Sequence, residues 1–287
     1  MQSEERRWKV ITRPELLIIT SGRNSQSTTW RKKPERKEQN GKLSLNARRK
    51  LKNAIRWLIA SSPIKKCYEK KQKKTVEYRI NMCTLTFKSN MQDDKLARLL
   101  LGKWLEMSKY RFSLEHYIWK AEPQERGAIH FHISSGLYLP YKEVAYTWNR
   151  LLFKHGIDQR NANSTDVHAV TNVQNLEAYL TEYLMNEDKH AGRRMIKGRL
   201  WGCSHALSQA GKEFTCLNDS ERASINDELS QYHLGNRMQV PPDFLNFIDV
   251  YCLPENYWKL LPDCELKRMY QLELEKLSPT VRQKEFW

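Results

Sequence analysis

His130 and His132 flank Phe131 in the segment AIHFHISSG, residues 128–136. In an extended strand successive side chains alternate, so both imidazoles fall on one face while the phenylalanine turns to the other. Two neighbouring imidazoles can bind one divalent ion, and a carboxylate would complete the set. Glu122 sits just across the turn PQERG (123–127), where hairpin pairing would bring its side chain to the same face. Gln124 and Glu125 are fallback ligands within the turn. The plainer alternative is a pair of histidines that happens to alternate in a strand. Tyr179 and Tyr183 lie four apart in AYLTEYLMN and so share one helix face. Such aromatics often support a core; beside a metal they would acquire a chemical use. Lys189, Arg193, Arg194, Lys197 and Arg199 follow that helix, either as a DNA-phosphate cradle near the tyrosines or as a solvated link.

These residues need elements to position them. YRINMCTLTF (78–87) is rich in apolar and β-branched residues and reads as a strand, with Thr84 and Thr86 alternating against Cys83, Leu85 and Phe87. The first strand is expected to be structural. Residues 94–110 repeat apolar side chains at helical spacing, 114–122 returns to strand character, and the PQERG turn makes a hairpin with the histidine strand. Beyond Pro140, residues 141–156 read as a helix with a glycine stop, 166–172 as a short strand and 173–188 as a helix. The order strand, helix, strand, strand, helix, strand, helix predicts an α+β domain over 75–190. Its expected architecture is a ferredoxin-like (RRM-like) antiparallel sheet with helices on one face.

Around that domain, residues 1–43 are expected to be a basic flexible arm, too polar to offset ordering entropy. Residues 44–74 are expected to be an amphipathic basic helix and a charged, solvated linker, KKCYEKKQKKT. The remainder, 191–287, is expected to be a mainly helical C-terminal accessory region of unassigned role.

The formal charge is +16, and it is lopsided: residues 1–77 hold 22 Lys and Arg against 7 Asp and Glu. A basic balance favours a polyanionic partner, because cations bound to phosphates release counterions. Composition alone does not separate nucleic acid from an anionic membrane surface. No apolar run approaches the ~18–20 residues of a membrane span, and the N-terminus lacks a signal-like apolar stretch. Six scattered cysteines read as ordinary thiols. A cytoplasmic protein without membrane partners is expected. A Walker phosphate loop is missing, which argues against an ATP-driven helicase in this chain.

Taken together, CTLTF (83–87), RGAIHFHIS (126–134) and AYLTEYLMN (178–186) resemble, in this order, the three motifs of HUH rolling-circle replication initiators. The lead-in WKAEPQERG (119–127) makes the pattern most similar to the Rep endonucleases of bacteriophages and bacterial mobile elements. The resemblance implies that His130 and His132 hold Mg2+ or Mn2+, with Glu122 as third ligand. It also implies that a tyrosine nicks single-stranded origin DNA and keeps a 5′-phosphotyrosyl bond. A second tyrosine would support the consecutive cleavage and rejoining that start and end rolling-circle replication. Tyr179 is the first choice for the initial attack and Tyr183 for the second. The partners implied are origin DNA and a host helicase and polymerase in a bacterial cytoplasm. Many relatives carry a lysine four residues after a catalytic tyrosine; here Tyr183 and Glu187 stand there, and Lys189 is the nearest basic substitute. Related alternatives are a relaxase or a single-strand transposase, although relaxases usually place the tyrosine ahead of the histidines. A non-catalytic nucleic-acid-binding module would need exposed aromatics on the sheet face.

Overall fold

The computed structural model describes residues 8–14, 16–21, 42–69, 73–158, 164–171, 173–186, 193–211, 215–231, 236–237, 248–253 and 265–277. The chain divides into two compact units, one formed by residues 1–37 and 209–278, the other by 38–208 and 279–287.

The first unit pairs β1 (Trp8–Arg13) with β2 (Leu16–Ser21) as an antiparallel hairpin. Three strands from far downstream complete its sheet: β10 (Thr215–Leu217), β11 (Asn236–Arg237) and β12 (Ile248–Cys252). The order is β10-β1-β2-β12-β11. Helices α6 (Asp219–Gln231) and α7 (Glu265–Leu277) belong to this unit. Two expectations are corrected here. Residues 8–21 are not a flexible arm, because WKVITR buries Trp8, Val10 and Thr12 on alternate positions and β2 adds Leu17 and Ile19. The C-terminal region is not mainly helical, since it supplies the strands on both sides of that hairpin. Trp8 is fixed by its indole N–H donating to Asp219 at 2.5 Å, with the Arg222 guanidinium 3.5 Å over the ring. The polar residues 22–41 lie outside the described residues.

The second unit is an α+β arrangement around a five-stranded antiparallel sheet. Its strands are β5 (Asn81–Thr86), β6 (Tyr117–Pro123), β7 (Ile129–Ser135), β8 (Thr165–Ala169) and β9 (Trp201–Cys203). They run in the order β8-β5-β7-β6-β9, every neighbouring pair antiparallel. The edge strand β9 comes from the stretch expected to begin the C-terminal region. One sheet face carries Cys83, Leu85, Phe131 and Ile133 and packs under α2 (Asp94–Phe112) and α3 (Tyr141–Lys154). Trp104 and Trp148 anchor those helices; Trp104 donates to Thr147 and Trp148 to the Thr86 carbonyl, so neither indole N–H is stranded in the core. Asp93 caps α2 by accepting from the backbone N–H groups of Lys95 and Leu96.

Helices also cover the opposite face, which corrects the expectation of helices on one side alone. There α4 (Leu176–Met185) packs beside α1 (Leu45–Ser61), with Arg56 bound to Glu177 at 2.9 Å. The physical reason is apolar surface on this side as well: Met82 and Ile118 are buried there, as are Leu180 and Leu184 of α4. The charged linker is a third correction. Residues 65–78 form a hairpin, β3 (Lys65–Glu69) with β4 (Lys74–Tyr78), whose Val76 and Tyr78 are buried between exposed Thr75 and Glu77. Among the described residues no helix is long and apolar enough to cross a membrane.

Candidate metal centre

The β6–β7 hairpin sets Glu122 opposite His130 and Lys120 opposite His132, while β5 sets Thr84 opposite His132 and Thr86 opposite His130. Directly paired residues share a face, so all six side chains project to the side covered by α4. The turn holds this register firmly. Gln124 N–H donates to the Ala128 carbonyl and Gly127 N–H to that of Gln124; Gly127 has φ of 87°, a conformation that strains any residue with a Cβ. Arg126 ties the turn to β5 by donating to the carbonyls of Phe87 and Lys88.

Glu122, His130 and His132 converge, their ligand atoms all within 4.8 Å of one another. The two Nε2 atoms are 3.0 Å apart, and Glu122 Oε2 is 3.3 Å from His132 Nε2 and 3.7 Å from His130 Nε2. Three ligands on one face of an octahedral ion, each at about 2.1 Å, would stand about 3.0 Å apart; a tetrahedral ion would spread them to about 3.4 Å. The observed spacings therefore fit a single cation with little movement. They leave its outward positions to ligands from outside the trio.

The surroundings keep the donors in ligating form. Burial would push the Glu122 carboxyl up. Its hydrogen bonds with His130 and His132 and the Lys120 charge outweigh that and hold it well below the usual carboxylate range. His132 is displaced downward, chiefly by burial, which favours the neutral imidazole that a metal requires. Its Nδ1 lies 2.9 Å from the Tyr183 hydroxyl and 3.1 Å from Thr84 Oγ1. With Nε2 aimed at the shared point, Nδ1 carries the proton and donates to one of these oxygens, fixing the ring's tautomer and rotation. The Tyr183 ring meets His132 edge-on at 5.2 Å and stacks on Tyr179 at 6.1 Å and 23°. Burial, then Glu122, Tyr179 and Asp166, push the Tyr183 phenol up, so it is protonated at neutral pH. The fold thus brings Tyr183 to the cluster directly and Tyr179 one turn earlier, through the stacked ring.

Residues 80–188 match the Replication-associated protein ORF2 family. No curated protein and no solved structure was found to match the chain. The stretch matched to this replication-associated family runs from just before β5 to just after α4. It therefore contains the trio, the hairpin that orders it and both tyrosines.

The expected basic cluster fares differently from the metal trio. Arg194 donates twice to Asp94, at 2.7 and 3.1 Å, and also to the Gly127 carbonyl, so its guanidinium is a clasp between α2 and the hairpin turn. Arg193 donates to the Pro123 carbonyl and pairs with Glu125 at 3.3 Å, which occupies that fallback ligand. Arg199 donates to the Trp201 carbonyl and lies over Trp119. Lys197 is exposed, and its backbone N–H donates to Asp94. Lys189 lies outside the described residues. Gln124 accepts from Arg126 within the turn rather than joining the trio.

Sequence reasoning misses Lys120 and Thr84 as members of the site. Lys120 is only 4% exposed, with Nζ 2.9 Å from Glu122 Oε1 and 3.4 Å from the Asn186 carbonyl. A signal for it exists: a residue two before Glu122 on the same strand shares its face.

Proposed function

We propose that this chain is a metal-dependent HUH endonuclease. It nicks and rejoins single-stranded origin DNA through a tyrosine, to initiate and terminate rolling-circle replication. The observation that carries the reading is the convergence of two imidazole Nε2 atoms and the Glu122 carboxylate at single-cation spacing, with a phenol 2.9 Å from one of those imidazoles. The strand order β8-β5-β7-β6 supports the ferredoxin-like reading, being fourth, first, third and second strand of a βαββαβ unit.

On this reading His130, His132 and Glu122 hold Mg2+ or Mn2+, which supplies Lewis-acid polarisation of the scissile phosphodiester. The residues do the rest. A tyrosine oxygen of α4 attacks phosphorus in line and its proton is released. The bond to the 3′ oxygen breaks, leaving a 5′-phosphotyrosyl chain and a free 3′-OH. One phosphodiester replaces another, so the 3′-OH can reverse the step without ATP. Tyr183 is the better placed of the two in the resting state; Tyr179, stacked upon it, is the partner for the second transfer. The free 3′-OH suits a host polymerase as primer. A host helicase is needed because the chain lacks a Walker loop, and the setting would be a bacterial cytoplasm. A stacking-platform module without catalysis fits poorly, since the sheet face presents Glu122, His130, His132 and Lys120 rather than exposed aromatics.

The test is incubation with labelled single-stranded DNA and Mn2+, followed by a denaturing gel. A covalent adduct is expected for the unmodified chain. It should vanish in Tyr179→Phe/Tyr183→Phe and be strongly reduced in His130→Ala/His132→Ala. An adduct that survives loss of both tyrosines would remove them from the chemistry.

A further inference from the structure

A buried lysine beside a metal ligand needs a reason, because an ammonium taken out of water is costly unless its partners are fixed. Lys120 has two. Its Nζ donates to Glu122 Oε1 at 2.9 Å, while the other carboxylate oxygen, Oε2, faces the imidazoles. It also reaches, at 3.4 Å, the carbonyl of Asn186, the C-cap of the tyrosine helix, where exposed carbonyls concentrate partial negative charge. Held from both sides and 4% exposed, Lys120 is part of the floor of the centre.

The charges on this floor can be counted. Glu122 contributes one negative charge, Lys120 one positive, and the imidazoles are neutral when they act as ligands, so the floor is close to neutral before a cation enters. A divalent cation then leaves an unbalanced double positive charge in a buried setting, and among the described residues no second carboxylate joins the cluster to offset it. A phosphodiester supplies negative charge where it is lacking. We propose that Lys120 sets the charge of this centre so that a divalent cation and a DNA phosphodiester bind as a pair, each weakly alone. By linkage the gain is reciprocal: whatever DNA does for the cation, the cation does for DNA. Such coupling keeps the Lewis acid from being fully engaged until the strand is in place. This inference rests on the metal-centre reading above.

The experiment is calorimetric titration of Mn2+ into the full chain, with and without an excess of short single-stranded DNA of mixed sequence, with DNA alone as blank. Unmodified protein, Lys120→Met and Lys120→Arg are compared. In unmodified protein DNA should tighten Mn2+ binding about tenfold, a coupling of ordinary size. Lys120→Met should bind Mn2+ without DNA about tenfold more tightly than the unmodified chain and lose most of the DNA-linked gain, because a nearby like charge has been removed. Lys120→Arg, which keeps the charge, should stay within about threefold. A lysine that merely orients Glu122 gives the opposite sign, so equal or weaker Mn2+ binding by folded Lys120→Met overturns the proposal. Should that variant not fold, Lys120→Gln takes its place with the same expected sign. Failure of both to fold would mark the lysine as structural and also overturn it. If unmodified protein binds no Mn2+ in either condition, the metal-centre reading itself falls.

Discussion

Two hairpins of the second unit, β6–β7 and β3–β4, are built from similarly polar sequence and do opposite things with it. In β6–β7 the polar side chains Lys120, Glu122 and His132 are buried and face one another. In β3–β4 the charged ones point outward, and its Lys66–Glu77 pair, at 3.6 Å, is more than half exposed on both sides. A polar group in water costs nothing to keep; one out of water must be compensated. Chemistry is therefore to be sought in the groups whose burial the fold has had to pay for.

Three changes put that contrast at risk. The largest effect is expected from His130→Ala/His132→Ala, which should abolish measurable Mn2+ binding by calorimetry. The matching double change on the other hairpin, Lys66→Ala/Glu77→Ala, should leave it unaltered. Next, Thr84→Val removes one of two oxygens beside His132 Nδ1 without changing side-chain shape. Loss of an outer partner of a metal-bound histidine costs about tenfold or more in affinity, and a shift of that order is expected here by the same calorimetry. An unchanged affinity would assign the Nδ1 proton to Tyr183. The smallest effect should come from Lys66→Ala alone. Chemical denaturation should register less than about 0.5 kcal/mol, the usual yield of an exposed ion pair. Outside the comparison, Arg194→Ala breaks a largely buried pair with Asp94 and should destabilise the fold by about 3 kcal/mol in the same assay.

How far the sequence can be read depends on whether the relevant partner is near in the chain. Glu122 and the histidines are joined by a tight turn, so strand alternation alone places all three on one face. The helix carrying Tyr179 and Tyr183 is legible for the same local reason. Lys120 escapes notice because a lysine in a strand suggests solvent, and only the cover supplied by α4 takes it out of water. Arg194 reads as a DNA contact because its partner, Asp94, lies a hundred positions earlier. The first hairpin is hidden by the polar run that follows it and by β10 and β12, which sit some two hundred residues downstream. The helices on both sheet faces also depend on such distant packing, since no local pattern says which face α1 and α4 will choose.

The most direct test of the central claim is anomalous diffraction from crystals of the full chain soaked in Mn2+. A single strong peak is predicted between Nε2 of His130, Nε2 of His132 and Oε2 of Glu122, at about 2.1–2.3 Å from each. A peak elsewhere, or imidazoles turned away from one another with none between them, would contradict it.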